Sequence, residues 1–317
     1  MKTDIVINEE ITPDLLRGVV TEFIAMILFV YVGTGAVVST AGFVPLEGSE
    51  VNVSAAVSQI LPIAFGFGVS ILVLVFAFGS ISGGHINPAV TATLTLVGKC
   101  SVVRGLLYFV AQLSGAFLGS LLLWASTTGL TGDVIVGSSL VDQKNNTIGR
   151  PPFNLGINSL NPRLTAGNGF VYEFMGTLLL CITVLMTAVH GKSLAQGKAS
   201  NAPIAIGFAV LLAHVILVPY TGCGINPART FGPALACTCA GVPADVAWGR
   251  AWWIYWVGPY FAAFVAALIY RGLYEFDADL PEEDLGEAAL EKEKKVENES
   301  EMSQEKKAES KPDVEEA

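Results

Sequence analysis

Six long apolar stretches set the strongest constraint on how this chain can fold. They lie at about residues 17–40, 58–79, 102–125, 169–189, 201–220 and 251–273. Each supplies the roughly 20 mostly apolar residues that a helix needs to cross a bilayer. A helix also satisfies its own backbone hydrogen bonds, which lipid cannot do. The sequence therefore predicts an all-α membrane protein with six transmembrane helices.

Charge divides the chain into a nearly neutral body and an acidic end. Only 15% of the residues are charged, against about 25% in soluble domains. Residues 275–317 hold 17 acidic and 6 basic residues and account for the net charge of −10. Such a composition predicts a disordered acidic tail. Residues 1–16 then form a cytoplasmic N-terminus, and residues 17–274 form the membrane domain.

Composition also excludes several function classes. The chain has no basic stripe with interleaved aromatic residues, so nucleic-acid binding has no support. Five cysteines and three histidines show no metal-ligand spacing, so we expect no metal site and no cofactor. An enzyme is not supported either, because the sequence shows no nucleophile–base pairing and no phosphate-binding loop.

The membrane domain contains an internal repeat. Residues 62–69 match residues 203–210 at six of eight positions, and an Asn-Pro-Ala motif occurs twice. We divide the domain into repeat one (17–125), a long extracellular loop (126–168) and repeat two (169–274). Each repeat contains an odd number of spans, so the second copy must be inverted in the membrane, as in many transport proteins. The motifs consist of Asn87, Pro88, Ala89 and of Asn226, Pro227, Ala228.

Each motif opens an apolar stretch that is too short to span, at residues 87–98 and 226–236. Asparagine is a good N-cap and proline suits the first helical position, so we predict two re-entrant half-helices. Non-helical backbone inside a membrane must be buried in protein or must line a water-filled cavity. The backbone predicted to line a pore belongs to Gly83, Gly84, His85, Ile86, Gly222, Gly224 and Ile225.

The two half-helix N-termini are expected to meet near the midplane. Their positive dipole ends would repel cations. The side-chain amides of Asn87 and Asn226 would donate to the oxygen of a passing water and so interrupt proton hopping. The alternative interpretation is that each asparagine serves only as an N-cap, but two copies in matched repeats favour the pore. Glu22 and Glu173 are buried acids at matching positions, which we interpret as structural acceptors for the re-entrant backbone.

The distribution of Lys and Arg among the short connections predicts the orientation. The bias is moderate and places both termini in the cytoplasm. The loop at 126–168 is then extracellular, and its Asn145-Asn146-Thr147 sequon makes Asn145 a possible glycosylation site. A multi-pass protein of the plasma membrane is expected.

Residues 82–90 (Ser-Gly-Gly-His-Ile-Asn-Pro-Ala-Val) and 221–233 (Thr-Gly-Cys-Gly-Ile-Asn-Pro-Ala-Arg-Thr-Phe-Gly-Pro) carry a family resemblance. With these two loops, the chain resembles the aquaporins of the major intrinsic protein family over about residues 12–275. The resemblance implies an aquaporin-like fold of six tilted helices, a pore in each subunit and a homotetramer in the lipid bilayer.

The family also has a narrower filter, which we place by its offset from the Asn-Pro-Ala motifs. The matching positions are Phe67, His214, Cys223 and Arg229. By resemblance, this set belongs to water-selective members. Glycerol-conducting relatives carry an Asp directly after the arginine and a smaller residue in place of the histidine, whereas this chain has Thr230 and His214. Cys223 is expected to be accessible from outside to thiol-binding metals.

These features predict a passive, water-selective transmembrane channel that excludes ions and protons, with water as the permeant. Two alternatives remain open on the sequence. One is a channel for another small neutral solute, such as hydrogen peroxide, glycerol or urea. The other is a structural or adhesion membrane protein built on the same fold.

Overall fold

A computed structural model describes residues 4–41, 53–127, 152–195 and 197–275. The predicted acidic tail beyond residue 275, the sequon at Asn145 and the middle of the long loop lie outside these ranges. Within them, all regular secondary structure is helical, which confirms the all-α class. Six helices are long and apolar enough to cross a membrane.

The helices follow one another in two matching series. Ten α-helices are described: α1 Pro13–Ala41, α2 Val53–Ser82, α3 Pro88–Leu96, α4 Val102–Thr127, α5 Ala166–Val184, α6 Gly191–Ala195, α7 Ala202–Thr221, α8 Pro227–Cys239, α9 Ala244–Ala247 and α10 Ile254–Ile269. Two spans end in π-helical turns, at Leu185–Val189 after α5 and at Tyr270–Tyr274 after α10. A short 3-10 turn, Pro152–Gly156, precedes α5.

Helix α1 begins a full turn before the apolar stretch that marks it in the sequence. The hydroxyl of Thr12 accepts from the backbone N–H of Leu15 at 3.2 Å, and Pro13 follows as the first helical residue. A threonine cap followed by proline is a strong start signal. Hydropathy does not detect it, because this first turn contains the exposed, charged Asp14 and precedes the continuous apolar stretch.

The two series interlock. Spans α1 and α4, α2 and α7, and α5 and α10 pack against each other in pairs. Each half-helix packs on a span of the opposite series, α3 on α10 and α8 on α4. The half-helices are therefore enclosed by protein, as non-helical backbone at membrane depth requires.

Glycines allow the closest helix contacts. A Cβ atom on Gly115 would lie 2.4 Å from the carbonyl oxygen of Phe23, and one on Gly119 would lie 2.5 Å from that of Ile27. Between α2 and α7, a Cβ on Gly68 would lie 2.8 Å from the carbonyl of Gly207. Backbone-to-backbone contact at small residues is how membrane helices gain van der Waals energy.

The N-terminal segment before α1 is attached to the start of α4. The Val102 N–H donates to the carbonyl of Val6 at 2.8 Å, and the carboxylate of Glu9 accepts from Ser101 Oγ at 2.5 Å and from the guanidinium of Arg104. The hydrogen bond from Arg104 lowers the pKa of Glu9. We call the side of the bundle that holds this segment and the end of α10 the terminal face, and the side that holds Pro152–Gly156 the loop face.

Candidate functional site

The Asn-Pro-Ala motifs form both half-helix N-termini. Asn87 Oδ1 accepts from the Ala89 N–H at 2.8 Å. Asn226 Oδ1 accepts from the N–H groups of Ala228 and Arg229 at 3.1 and 3.2 Å. Pro88 and Pro227 occupy the first helical position. Each asparagine therefore caps its half-helix, as its residue type predicts.

The same two side chains also connect the half-helices to each other. Asn87 Nδ2 donates to the carbonyl of Ile225 at 2.9 Å, and Asn226 Nδ2 donates to the carbonyl of Ile86 at 2.8 Å. An amide group carries two N–H donors, so each asparagine uses one N–H in this crossed pair and keeps a second. Both asparagines line the central cavity, where that second N–H can meet a solute.

The backbone before each motif adopts a matched, strained conformation. Ile86 and Ile225 have φ values of +49° and +45°, and a β-branched residue in this region is a true outlier. Gly83 and Gly222 are left-handed as well. At the next position, Gly84 in the first repeat and Cys223 in the second are also left-handed, with Cys223 at φ +54°. Strain of about 1–3 kcal/mol per residue persists only where the surroundings over-determine it, typically at functional sites.

Two buried carboxylates hold this strained backbone. Glu22 accepts from the N–H groups of His85 and Ile86 at 2.9 and 2.7 Å. Glu173 accepts from the N–H groups of Gly224 and Ile225 at 2.9 and 2.6 Å. With these N–H groups bound from behind, the backbone carbonyls are directed away from the carboxylates. A buried carboxylate with several such donors is satisfied without a positive partner.

Hydroxyl groups extend the anchors, and the sequence reasoning missed them. Ser82 Oγ donates to Glu22 at 2.7 Å, and Thr221 Oγ1 donates to Glu173 at 2.5 Å. Tyr108 donates to the Ser82 carbonyl at 2.9 Å, and Tyr255 donates to the Thr221 carbonyl at 2.8 Å. The internal repeat contained a signal for the first pair, because Ser82 and Thr221 stand at the same offset before their motifs.

Three of the four predicted filter residues converge on one point. The rings of Phe67 and His214 stack with centroids 4.3 Å apart and planes 17° apart. The Cζ atom of Arg229 lies 4.7 Å from the Phe67 centroid, in cation–π contact. All three side chains are buried. Cys223 is fully buried too, within the main apolar cluster, so its expected accessibility from outside is wrong for this conformation.

The hydrogen bond of His214 decides which ring atom is free. Its Nδ1 lies 2.8 Å from the carbonyl oxygen of Val210, one turn earlier on α7. A carbonyl can only accept, so Nδ1 carries the proton, and Nε2 of a neutral ring is an acceptor. Nε2 is buried and has no hydrogen-bond partner among the residues that the structure describes. His214 is thus both bonded to its own helix and equipped to accept a hydrogen bond from a solute.

Arg229 is held from the loop face. Its NH1 group donates to the carbonyl of Gly156 at 3.0 Å and to Oδ1 of Asn158 at 2.8 Å. Its Nε is buried, and no described residue forms a hydrogen bond with it. Both acceptors belong to the segment around the Pro152–Gly156 turn, which the sequence reasoning treated only as loop. No periodicity or motif in the sequence marked it.

A cavity of about 600 Å³ leads to this site from the terminal face. It begins beside Lys99 and Ser200 and reaches Asn87, Asn226 and finally His214. Its walls are mostly apolar, with Ile71, Val75, Leu180, Val184, Ile206 and Val210 among them. The described residues contain no group of three or more His, Cys, Asp or Glu side chains placed to hold a metal ion. The cavity suits a small, neutral, polar solute.

Comparison with known proteins agrees with this geometry. The family model described as major intrinsic protein matches residues 9–270. Aquaporin-1 from Ovis aries is 37% identical over 255 residues, which is 80% of this chain and 80% of that protein. Aquaporin-1 from Mus musculus is 39% identical with the same coverage. The solved structure of the aquaglyceroporin from Plasmodium falciparum superposes with a TM-score of 0.62 at 20% identity, covering 82% of this chain and 96% of that chain, and shows the shared fold. The chain therefore belongs to the major intrinsic protein family and is an integral, multi-pass membrane protein.

Proposed function

We propose that this protein is a passive water-selective channel. The observation that carries the proposal is the convergence of Phe67, His214 and Arg229 at one constriction. A solute that passes there meets an apolar ring, a histidine acceptor and a permanently charged guanidinium. Water can satisfy both polar groups at once. Glycerol is larger and presents a carbon backbone beside its hydroxyls, and we expect the bulk of His214 and the charge of Arg229 to exclude it.

The Asn-Pro-Ala centre supplies proton and cation exclusion in this proposal. Two half-helix N-termini face each other across the crossed Asn87 and Asn226 bonds, and each contributes roughly half a positive charge. The free N–H of each amide donates to the oxygen of a passing water. That water then cannot accept from its neighbour, so the hydrogen-bonded file that a proton would follow is broken at this point.

The remaining features of the proposal concern the setting of the channel. The protein would reside in the plasma membrane as a homotetramer, with the terminal face toward the cytoplasm and the loop face outside. Its similarity to proteins named aquaporin-1 supports water as the permeant. Urea is disfavoured by the same crowding at His214, while hydrogen peroxide is close to water in size and is left to the experiment.

The test is stopped-flow light scattering on proteoliposomes that contain the full chain. We expect fast shrinkage under a sucrose gradient and no re-swelling under a glycerol gradient. The double variant His214→Ala, Arg229→Val should admit glycerol, because it removes the bulk and the charge of the filter. Leu212→Ala, which truncates an exposed side chain on the same helix, serves as the control and should behave like the unmodified protein.

Two results would count against the proposal. If liposomes with folded protein shrink no faster than empty ones, the fold serves another role, and a structural or adhesion function becomes the leading alternative. If the unmodified protein passes glycerol as readily as the double variant, the filter does not select by size. A hydrogen peroxide uptake assay in the same liposomes decides whether peroxide shares the pore.

A further inference from the structure

Asn158 is the buried polar residue that joins the loop face to the filter. It lies two residues after the Pro152–Gly156 turn, and the residue is only 2% exposed. Its Oδ1 accepts from Arg229 NH1 and from Thr230 Oγ1, both at 2.8 Å. Its Nδ2 donates to the carbonyl of Gly222 at 2.9 Å. We propose that Asn158 is a positioning residue that holds the Arg229 guanidinium and thereby sets the selectivity of the filter.

The three bonds require an amide at this position. Two donors converge on Oδ1, and a carbonyl faces the other end of the side chain, so the residue must accept on one side and donate on the other. Asparagine does both, whereas aspartate only accepts when ionised. The fit is also close in space, because a Cβ on Gly222 would lie 3.2 Å from Asn158 Nδ2. Asn158 therefore connects the charged filter residue to the re-entrant backbone.

The Asn158 side chain is uncharged, and this matters for function. The two acceptors of Arg229 NH1 are a backbone carbonyl and an amide oxygen. Among the described residues, no carboxylate lies within ion-pairing distance of Arg229. The guanidinium is thus fixed by hydrogen bonds to neutral acceptors, which do not cancel its positive charge. A carboxylate in place of Asn158 could still accept from Arg229 and Thr230 but would lose the donor to Gly222 and would cancel the charge that repels cations.

A simpler role for Asn158 is to dock its segment on α7 rather than to position Arg229. A neighbouring residue, Asn161, allows the two roles to be tested separately. Asn161 Nδ2 donates to the carbonyl of Pro219 at 3.2 Å, and the Asn161 backbone N–H donates to the carbonyl of Tyr220 at 2.8 Å. Asn161 thus attaches the same segment to the same helix end without contacting Arg229. Asn161→Ala is therefore the matched control for loop docking.

The experiment measures water, glycerol and proton permeability in proteoliposomes that contain the full chain, with an internal pH dye for protons. The hydrogen bond from Arg229 to Asn158 involves a charged group. Its loss in Asn158→Ala should therefore lower, by roughly tenfold, the population of Arg229 side chains in the observed position relative to displaced ones. We expect the ratio of water to glycerol permeability to fall by a similar factor. The isosteric Asn158→Asp should keep water flux within about twofold and admit protons, because a charge pair at this distance largely neutralises the guanidinium. Asn161→Ala should leave both selectivities unchanged.

The proposal rests on the proposed water-channel function, and the outcomes distinguish the two. Unmodified protein that conducts no water refutes the channel function itself. A conducting channel in which both Asn158 variants retain the glycerol and proton barriers refutes the positioning role alone. Equal losses in Asn158→Ala and Asn161→Ala would assign the effect to loop docking and also overturn the proposal. If Asn158→Ala does not reconstitute, the proton flux of Asn158→Asp gives the decision.

Discussion

The carboxylate of Glu173 offers the sharpest test of how the re-entrant backbone is held. It accepts three hydrogen bonds, from Thr221 Oγ1 and from the N–H groups of Gly224 and Ile225. In Glu173→Gln, the amide oxygen can replace one carboxylate oxygen. The amide NH₂ group must then face an N–H or hydroxyl that had donated to the other oxygen. At least one charge-assisted bond is lost, and one buried backbone donor is left without a partner.

The structure sets the size of the effect. A hydrogen bond to a charged group contributes about 1.5–3 kcal/mol, and the cost of the orphaned donor belongs to the same lost bond, so Glu173→Gln should destabilise the fold by roughly 2–3 kcal/mol. Chains somewhat smaller than this one shift by about 2–4 °C per kcal/mol and larger chains by less, so the thermal midpoint in detergent should fall by several degrees. Water flux should fall as well, because the carbonyls of the second re-entrant segment lose their orientation.

Thermal unfolding in detergent and stopped-flow flux from the same preparation measure both effects. Asp245→Asn is the control, since this carboxylate is exposed on the short helix α9, and its midpoint should stay within the small range typical of surface substitutions. If Glu173→Gln keeps the native midpoint and the native flux, the carboxylate does not anchor the backbone through its charge, and the argument fails.

Three further predictions follow from packing, from the internal symmetry and from charge. Gly119→Leu places side-chain atoms against the backbone of α1, where even a Cβ would lie 2.5 Å from a carbonyl oxygen. It should lower the free energy of unfolding by at least about 1–3 kcal/mol. An unchanged midpoint of thermal unfolding would contradict the close helix contact. Tyr108→Phe and Tyr255→Phe each remove one hydrogen bond to a re-entrant carbonyl and should cost about 0.5–1.5 kcal/mol each. Tyr108 also accepts from Arg104 Nη1 at 3.3 Å, so its loss should be at least as large, and a much larger loss for Tyr255→Phe would contradict their matched roles. Glu9→Gln tests the pKa of Glu9, which the hydrogen bond from Arg104 lowers. At pH values above the ordinary glutamate pKa, near 4.3, the unmodified protein should be more stable than the variant by up to about 1 kcal/mol. This difference should vanish as the pH falls through the lowered pKa. A stability difference that persists in acid would exclude this origin.

Much of the fold was predictable because the determining signals are local. Apolar length predicts a span wherever lipid is the solvent, so the six long helices follow from composition alone. Helix start chemistry is equally local, which is why Asn87 and Asn226 predict the half-helix N-termini to the residue. The repeat then predicts the inverted pairing, since an odd number of spans leaves no other arrangement.

The start of α1 and the burial of Cys223 show where local signals end. Hydropathy marks the apolar stretch rather than the helix, so it missed the first turn, which Thr12 caps before that stretch begins. Cys223 takes the left-handed position that Gly84 takes in the first repeat, and its thiol points into the apolar cluster. The sequence shows that a cysteine stands beside the filter arginine, but the backbone conformation decides which way it faces.

By itself, then, the sequence determined the spans, the two half-helices and the set of residues that meet at the centre, because length, capping and internal repetition act within one segment at a time. Only the tertiary structure decided how those residues are held. The crossed bonds of the asparagines, the hydrogen bonds that Glu22 and Glu173 accept and the bond from Arg229 to Asn158 join residues between 48 and 140 positions apart. Such bonds depend on how one loop docks against another, and no periodicity along the chain encodes that geometry.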